Sequence, residues 1–387
     1  DLHDLSCRLV TRHLYLHSSK WAAQSSDDFY TFPARIRLEI LQASTHICPE
    51  QSASGICKVS ELGFNLRPIV VRKEIAPESL RGRTLAVDAN NMLYQFLSLI
   101  RTPDGVSLRD REGRTTSHLA GLLYRSTRLM LDYDLRFAFI FDGPPHPFKA
   151  KVLAERRAAR EKAKEEWSDA LRRHDFQTAW SKAVVMSKLD ETMIADAKHL
   201  LSYMGMPYVE APGEGEAQAA HMTSRGDVWA ANSRDYDTLL FGSPRLVRYL
   251  TVSGQEFLPS KGISRPLKPE LIDLSAFLAH HGITREQLVD LAIAVGTDFN
   301  EGIKGVGPKT ALRLVKRHGL LEEFPEALRQ ALPQDLDTLR GIFLRPRVRE
   351  DYSVLWQQPN EEGLFSFLCD ERGFAKERVQ IVVERLR

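Results

Sequence analysis

The sequence predicts an α/β fold, a mostly parallel twisted sheet flanked by helices. Three observations carry that prediction. Four short apolar runs, at 84–87, 136–141, 207–209 and 228–231, look like strands buried on both faces. Helix-like stretches at about 89–101, 116–132, 190–204 and 215–225 separate them, and such alternation requires parallel strands with helical crossovers. Each run ends at or just before an acid: Asp88, Asp142, Glu210 and Asp235. In open α/β sheets, ligands sit beyond the carboxyl ends of the strands.

Composition allows this fold. The chain has 387 residues with 43% hydrophobic content, enough for a large core. No stretch reaches the roughly 18 uninterrupted apolar residues of a membrane helix, and no basic-then-apolar start reads as a secretory signal. Cys7, Cys48, Cys57 and Cys369 match neither a metal site nor a disulfide framework. The net charge of +2 hides local extremes. Lys149, Lys151, Arg156, Arg157, Arg160, Lys162 and Lys164 form one basic cluster. Lys304, Lys309, Arg313, Lys316 and Arg317 form another. Basic patches suit phosphate, and the acids between them suit a metal.

Residues 1–61 show no sustained periodicity, and an ordered pattern begins near Gly63. The first strand ends at Asp88. On the helix that follows, Met92, Phe96 and Ile100 make an apolar stripe, with Tyr94, Ser98 and Arg101 opposite. A tyrosine off the core stripe can stack on a base. After the strand that ends at Asp142, residues 149–200 form an insertion that begins as the charged helix KAKVLAERRAAREKAKEEW. A crossover needs only about a dozen residues, so this segment is expected to project as its own element. Lys149, Arg156 and Arg160 fall within about 40° of one another on a helix and form a cationic stripe.

The next acids, Glu214 and Glu216 in APGEGEAQAAH, sit at a helix start after Pro212-Gly213, where both can face one site and the helix dipole favours them. Asp235 and Asp237 follow a strand in NSRDYDTLLFG, and Asp298 lies in AVGTDFNEGIKGVG. Gathering Asp88, Asp142, Glu214, Glu216, Asp235, Asp237 and Asp298 is costly unless divalent cations compensate. Mg²⁺ prefers hard oxygen ligands and keeps several waters, so a loose ring of acids can hold two ions for phosphodiester hydrolysis. GIKGVGPKTA, from Gly302, reads as a helical hairpin turn. Its glycines allow close phosphate approach, its next helix starts near Pro308, and Ile303 and Val306 pack the two helices.

Together these residues resemble the flap endonuclease family, in wording closest to its archaeal branch. The matching stretch runs from about Gly63 to the C-terminus, and its motifs are LAVDANNMLYQFL, TTSHLAGLLYRSTRLM, FIFDGPPHPFK, EAPGEGEAQAA, NSRDYDTLLFG and VGTDFNEGIKGVGPKTAL. The resemblance implies a 5′-nuclease (PIN-like) core with a helical arch and a helix-hairpin-helix DNA-binding element. It implies regions at 62–160 (nuclease, N-terminal), 149–200 (arch), 201–320 (nuclease, internal, with the hairpin at 290–317) and 320–387 (C-terminal, helical). It further implies that Asp142, Glu214 and Glu216 serve mainly one Mg²⁺, with Asp235, Asp237 and Asp298 on the other and Asp88 acting through water. Mn²⁺ can substitute. Lys149 and Arg156 match a basic pair on the scissile phosphate, and Tyr94 matches an aromatic near the cleaved nucleotide. Arg101, Arg125 and Arg128 match residues along the substrate path. Gly305 and Gly307, with Lys304 and Lys309, match a duplex-binding turn that also holds K⁺.

The implied activity is 5′-flap endonuclease with 5′–3′ exonuclease, in Okazaki-fragment maturation and base-excision repair. The implied partner is branched DNA with a 5′ flap, bound by a monomer. The implied location is cytoplasmic and nucleoid-associated, or nuclear in a eukaryote. Two departures stand out. GFNLRPIVVRKEI looks like the family's usual beginning, so Leu62 is expected to be the true start and 1–61 translated upstream sequence. The chain ends at QIVVERLR without the family's Gln-x-x-apolar-x-x-aromatic-aromatic peptide for the sliding clamp, so weak or absent clamp stimulation is expected. Two rival readings are a sister nuclease for junctions, bubbles or duplex ends, and an inactive junction binder. The second would need a broken acid set, and all seven acids are present.

Overall fold

The computed structural model describes residues 65–102, 105–250, 255–258 and 263–387. Residues 1–61, and the start expected at Leu62, lie outside the described residues. Nine of the strands are β1 (Lys73–Glu74), β2 (Thr84–Asp88), β3 (Arg136–Phe141), β4 (Tyr208–Glu210), β5 (Ala230–Asn232), β6 (Arg245–Arg248), β7 (Gln255–Leu258), β8 (Ile263–Pro266) and β9 (Glu270–Asp273). The main sheet has the order β1-β9-β6-β5-β2-β3-β4. Its β6-β5-β2-β3-β4 portion is parallel. The expected parallel sheet is therefore present, with an antiparallel edge of β9 and β1 beside β6 that the apolar runs did not announce. Both added strands are short and carry charge, so they lack the continuous apolar signal of a central strand. A separate hairpin pairs β7 with β8.

Helix α1 (Ala89–Leu99) follows β2 directly, because the Asp88 carboxylate caps it by accepting from the Asn91 amide at 2.9 Å. Helix α2 is one run of Ser117–Ala120, Gly121–Ser126 and Thr127–Tyr133, whose middle portion has π-type turns. The insertion forms α3 (Ala150–Arg172) and α4 (Phe176–Met186), and α5 (Glu191–Tyr203) leads back to β4. The segment expected as one projecting unit at 149–200 thus divides. Helices α3 and α4 fold back on each other over buried Ala163, Ala170, Ala179 and Ala183, and Lys182 pairs with Glu166 across them. Helix α5 instead packs on the sheet through Ala197, Leu200 and Leu201. Onward lie α6 (Gly215–Arg225), α7 (Asp237–Leu240), α8 (Leu274–His281), α9 (Arg285–Val295) and α10 (Pro308–His318), then α11 (Leu336–Leu344) and α12 (Lys376–Leu386).

The sheet separates two apolar layers by the two-residue period of its strands. Leu85, Val87, Phe137, Phe139 and Phe141 face α1, α2, α5 and α12. Ala86, Ala138, Ile140 and Ala231 face α6, α8 and α9. The alanines on that second face meet Ala217, Ala219 and Ala220, which lets α6 lie close and brings its acidic start to the sheet edge. On α1 the buried face holds Ala89, Leu93, Phe96 and Leu97. Ser98, expected opposite the core stripe, is buried too; its hydroxyl is satisfied by donating to the Tyr94 carbonyl at 2.8 Å.

Candidate functional site

The chain visits β2, β3 and β4 on one side and then returns to place β5 on the other side of β2. Such a reversal opens a crevice at the carboxyl ends of the strands. Asp88 ends β2 on one lip. Asp142 follows β3; its Oδ1 accepts from the Gly215 amide at 2.7 Å and its Oδ2 from Asn90 Nδ2 at 2.8 Å. A Cβ at Gly215 would lie 2.8 Å from that Oδ1, so the absence of a side chain there lets α6 dock onto Asp142. Glu214 caps α6 with extended backbone (φ −71°, ψ 126°), and Glu216 is its second residue. Asp235 lies in the loop after β5 and accepts from Asn91 Nδ2 at 3.0 Å. Asp237 opens α7, and Asp298 lies in the turn between Gly296–Thr297 and Asn300–Glu301; both are buried.

Two cations reach into this edge. Lys149, just before α3, pairs with Glu214 and stands 3.7 Å from Asp298 Oδ2. Its ammonium also lies 4.9 Å from the centre of the Phe299 ring. Arg156, two turns along α3, reaches Asp298 Oδ2 at 2.9 Å. Burial opposes the Lys149 charge, but Glu214, Asp298 and Glu216 outweigh it and hold the group at about 12. The acids carry the opposite strain. Burial, and then the charge of Asp142, raises Asp88 well above the usual carboxylate range. Burial, followed by the charges of Asp237, Asp235 and Asp88, does the same to Glu216. Asp235 is raised by burial against the pull of Arg248. Asp142 stands at the solvent-open rim. It is also raised, by the crowding of protein atoms and against the Gly215 amide.

All seven singled-out acids therefore border one crevice, and four of them, Asp88, Asp142, Glu216 and Asp235, have carboxyls raised by burial and, to a lesser degree, by the charge of neighbouring acids. Hard oxygen donors with uncompensated negative charge fit Mg²⁺ or Mn²⁺, and no thiolate or imidazole stands among them to favour a softer ion. Among the described residues, no three His, Cys, Asp or Glu side chains close into a finished cage. A loose ring suits an ion that keeps part of its water shell. Glu210 is the strand-end acid outside this group; on edge strand β4 it pairs with Lys198 at 3.0 Å.

The remaining predicted residues lie around this edge. Tyr94 is 40% exposed on α1. Arg101 is held by the framework: it donates to the Gly105 carbonyl at 2.7 Å and to Ser187, tying the end of α1 to the end of α4. Arg125 is half-buried on α2, while Arg128 is exposed and pairs with Asp132 at 3.1 Å. Between α9 and α10, Ile303 and Val306 are buried and the Ile303 amide donates to Ala294 at 2.8 Å. Gly305 adopts left-handed φ of 83°, and a Cβ at Gly302 would lie 2.0 Å from the Val295 carbonyl oxygen. Lys304 and Lys309 are exposed on either side of Gly307, which precedes Pro308 at the start of α10.

Sequence reasoning passed over Asn90, Asn91 and Ser233. Asn90 holds Asp142 and Asn91 holds Asp235, while Ser233 lies between Glu216 and Asp235, with its hydroxyl 3.5 Å from the former and 3.2 Å from the latter's amide. The available signal was the Asn-Asn pair directly after the strand-end acid in LAVDANN.

Residues 59–163 match the model of the XPG N-terminal domain, and residues 205–298 that of the XPG I-region. Flap endonuclease 1 of Pyrococcus abyssi is 48% identical over 327 residues, 84% of this chain and 94% of its own length. Flap endonuclease 1 of Archaeoglobus fulgidus is 45% identical, over 84% of this chain and 96% of that protein. Among solved structures, flap endonuclease-1 from Methanococcus jannaschii superposes with a TM-score of 0.65 at 38% identity, covering 84% of this chain and 98% of that one. The catalytic core of Rad2 in complex with DNA substrate shares the fold, with a TM-score of 0.61 at 23% identity, over 82% of this chain and 96% of that one.

Proposed function

The chain belongs to the flap endonuclease family, and from that premise we propose how its acidic sheet edge cuts DNA. The protein is a structure-specific 5′-flap endonuclease, a hydrolase of phosphodiester bonds. The observation that carries the mechanism is the meeting of seven carboxylates with Lys149 and Arg156 at one topological switch point.

Asp88, Asp142, Glu214, Glu216, Asp235, Asp237 and Asp298 would hold two Mg²⁺ ions, with Mn²⁺ as a substitute. Bound there, the ions supply water activation and stabilisation of the leaving oxygen. Lys149 and Arg156 exchange their carboxylate partners for the scissile phosphate and stabilise the charge that develops on it. Their present pairing with Glu214 and Asp298 supports this, because it keeps both cations within reach of the edge. Tyr94 stacks on a nucleotide beside the site, supported by its exposure on α1. Helices α3 and α4 act as the arch that receives the 5′ end.

The turn between α9 and α10 holds duplex phosphate through the amides that open α10, through Lys304 and Lys309, and with K⁺ at Gly305 and Gly307. Arg125 and Arg128 line the path of the substrate, and Arg101 fixes the arch to α1. The substrate is branched DNA read by shape, bound by a monomer, with 5′–3′ exonuclease as a side activity.

The test is cleavage of a 5′-labelled double-flap DNA by the full chain with Mg²⁺ or with EDTA. We expect one Mg²⁺-dependent cut near the junction. Faster cutting of a four-way junction or a bubble would favour the sister-nuclease reading, and no Mg²⁺-dependent cut on any of them would overturn the proposal.

A further inference from the structure

We propose that Arg248 is the positioning residue that fixes the Asp235–Tyr236–Asp237 loop and so presents both carboxylates to the divalent ions. The inference rests on the reading of the acidic edge as an ion site.

Arg248 ends β6, one strand outward from β5, and is 3% exposed. Its guanidinium lies 3.7 Å from the centre of the Tyr236 ring. Its Nε donates to the Arg234 carbonyl at 2.8 Å, and its Nη2 donates to the Tyr249 hydroxyl at 2.8 Å. One buried cation thus grips the residue before Asp235 by its backbone and the residue after it by its ring. The Tyr236 ring enters the apolar core beside α7, and its buried hydroxyl has no hydrogen-bond partner among the described residues. The cation on its face is therefore the polar contact that fixes its orientation.

The Tyr249 ring centre lies 4.4 Å from the same guanidinium, and Tyr249 holds left-handed backbone at φ 59°. A conformation that L-residues rarely adopt is retained where surrounding contacts enforce it. An ordinary ion pair does not account for this placement. Glu270 stands 3.5 Å from Arg248 but 3.0 Å from Arg72, which is the closer partner of that carboxylate. Stacking together with directed donation is a property of the planar guanidinium that an ammonium does not share.

The experiment is Mn²⁺ binding to the full chain without DNA, read from the loss of the free-ion electron paramagnetic resonance signal. Wild type is compared with Arg248→Met, Arg248→Lys and Tyr249→Leu, and thermal melts check folding. Loss of a group that orients metal ligands weakens binding by about 10–100-fold. We expect that shift for Arg248→Met, incomplete rescue by Arg248→Lys and a smaller shift for Tyr249→Leu. Wild-type affinity in folded Arg248→Met, or full rescue by lysine, would overturn the inference. Should Arg248→Met not fold, Tyr249→Leu decides, and unchanged affinity there overturns it. No Mn²⁺ binding by wild type would instead remove the ion-site reading on which the inference stands.

Discussion

His118 is fully buried on α2, and neither ring nitrogen has a hydrogen-bond partner among the described residues. Burial pushes its imidazole down to about 4, against the weaker pulls of Asp196 and Asp190. Its ordinary value is 6.5. Between those values the unfolded chain binds the proton and the folded chain does not. Its stability contribution is complete above about pH 6.5 and falls as pH drops toward 4. The full effect is about 3 kcal/mol. Denaturant melts of wild type should lose that stability over this window, and His118→Leu should lose less. Equal pH dependence in both would contradict the assignment. The crevice acids act in the reverse sense, since carboxyls raised by burial and by one another relax as pH falls. Comparison of the two chains cancels that shared background. Asp88 and Asp142 were legible in the sequence because a charge ending an apolar strand breaks its pattern. Asn90, Asn91 and Arg248 were not, because amides and arginines serve many local roles and only the fold shows what each one holds.

At the scale of elements, the turn between α9 and α10 depends on contact between main chains. A Cβ at Gly302 would press on the Val295 carbonyl, and Lys309 is exposed on α10. Gly302→Ala should spread the turn and weaken duplex binding at every sequence. Lys309→Ala should reduce the slope of log affinity against log salt by about one. Titration of a labelled duplex at several salt concentrations in EDTA measures both, and unchanged slope and affinity would remove this turn from the interface. The start of this helix at Pro308 was legible, as were the strands from Thr84 and from Arg136, since Pro and apolar runs are local signals. Other features depend on tertiary partners. The antiparallel edge of β9 and β1 exists because β6 offers an open side, and the division of 149–200 follows from where α5 finds apolar surface. Ser98 could be buried only because the Tyr94 carbonyl accepts its hydroxyl hydrogen bond.

The whole molecule places chemistry where its topology reverses. Parallel strands end in acids, small residues let α6 approach, and the α3 helix delivers two cations. Among the described residues, no helix is long and apolar enough to cross a membrane. On the proposed reading, gathering these acids disfavours the bare protein and would favour divalent ions with phosphate, the balance a nuclease needs. The most direct test is single-turnover cleavage of double-flap DNA in Mg²⁺ by wild type, Asp142→Asn and Asp235→Asn, with DNA affinity measured separately in EDTA. We expect a rate lower by on the order of 10²-fold or more in each variant, with affinity kept or tightened because a negative charge is gone. Wild-type rates in both variants would show that the cut is made elsewhere.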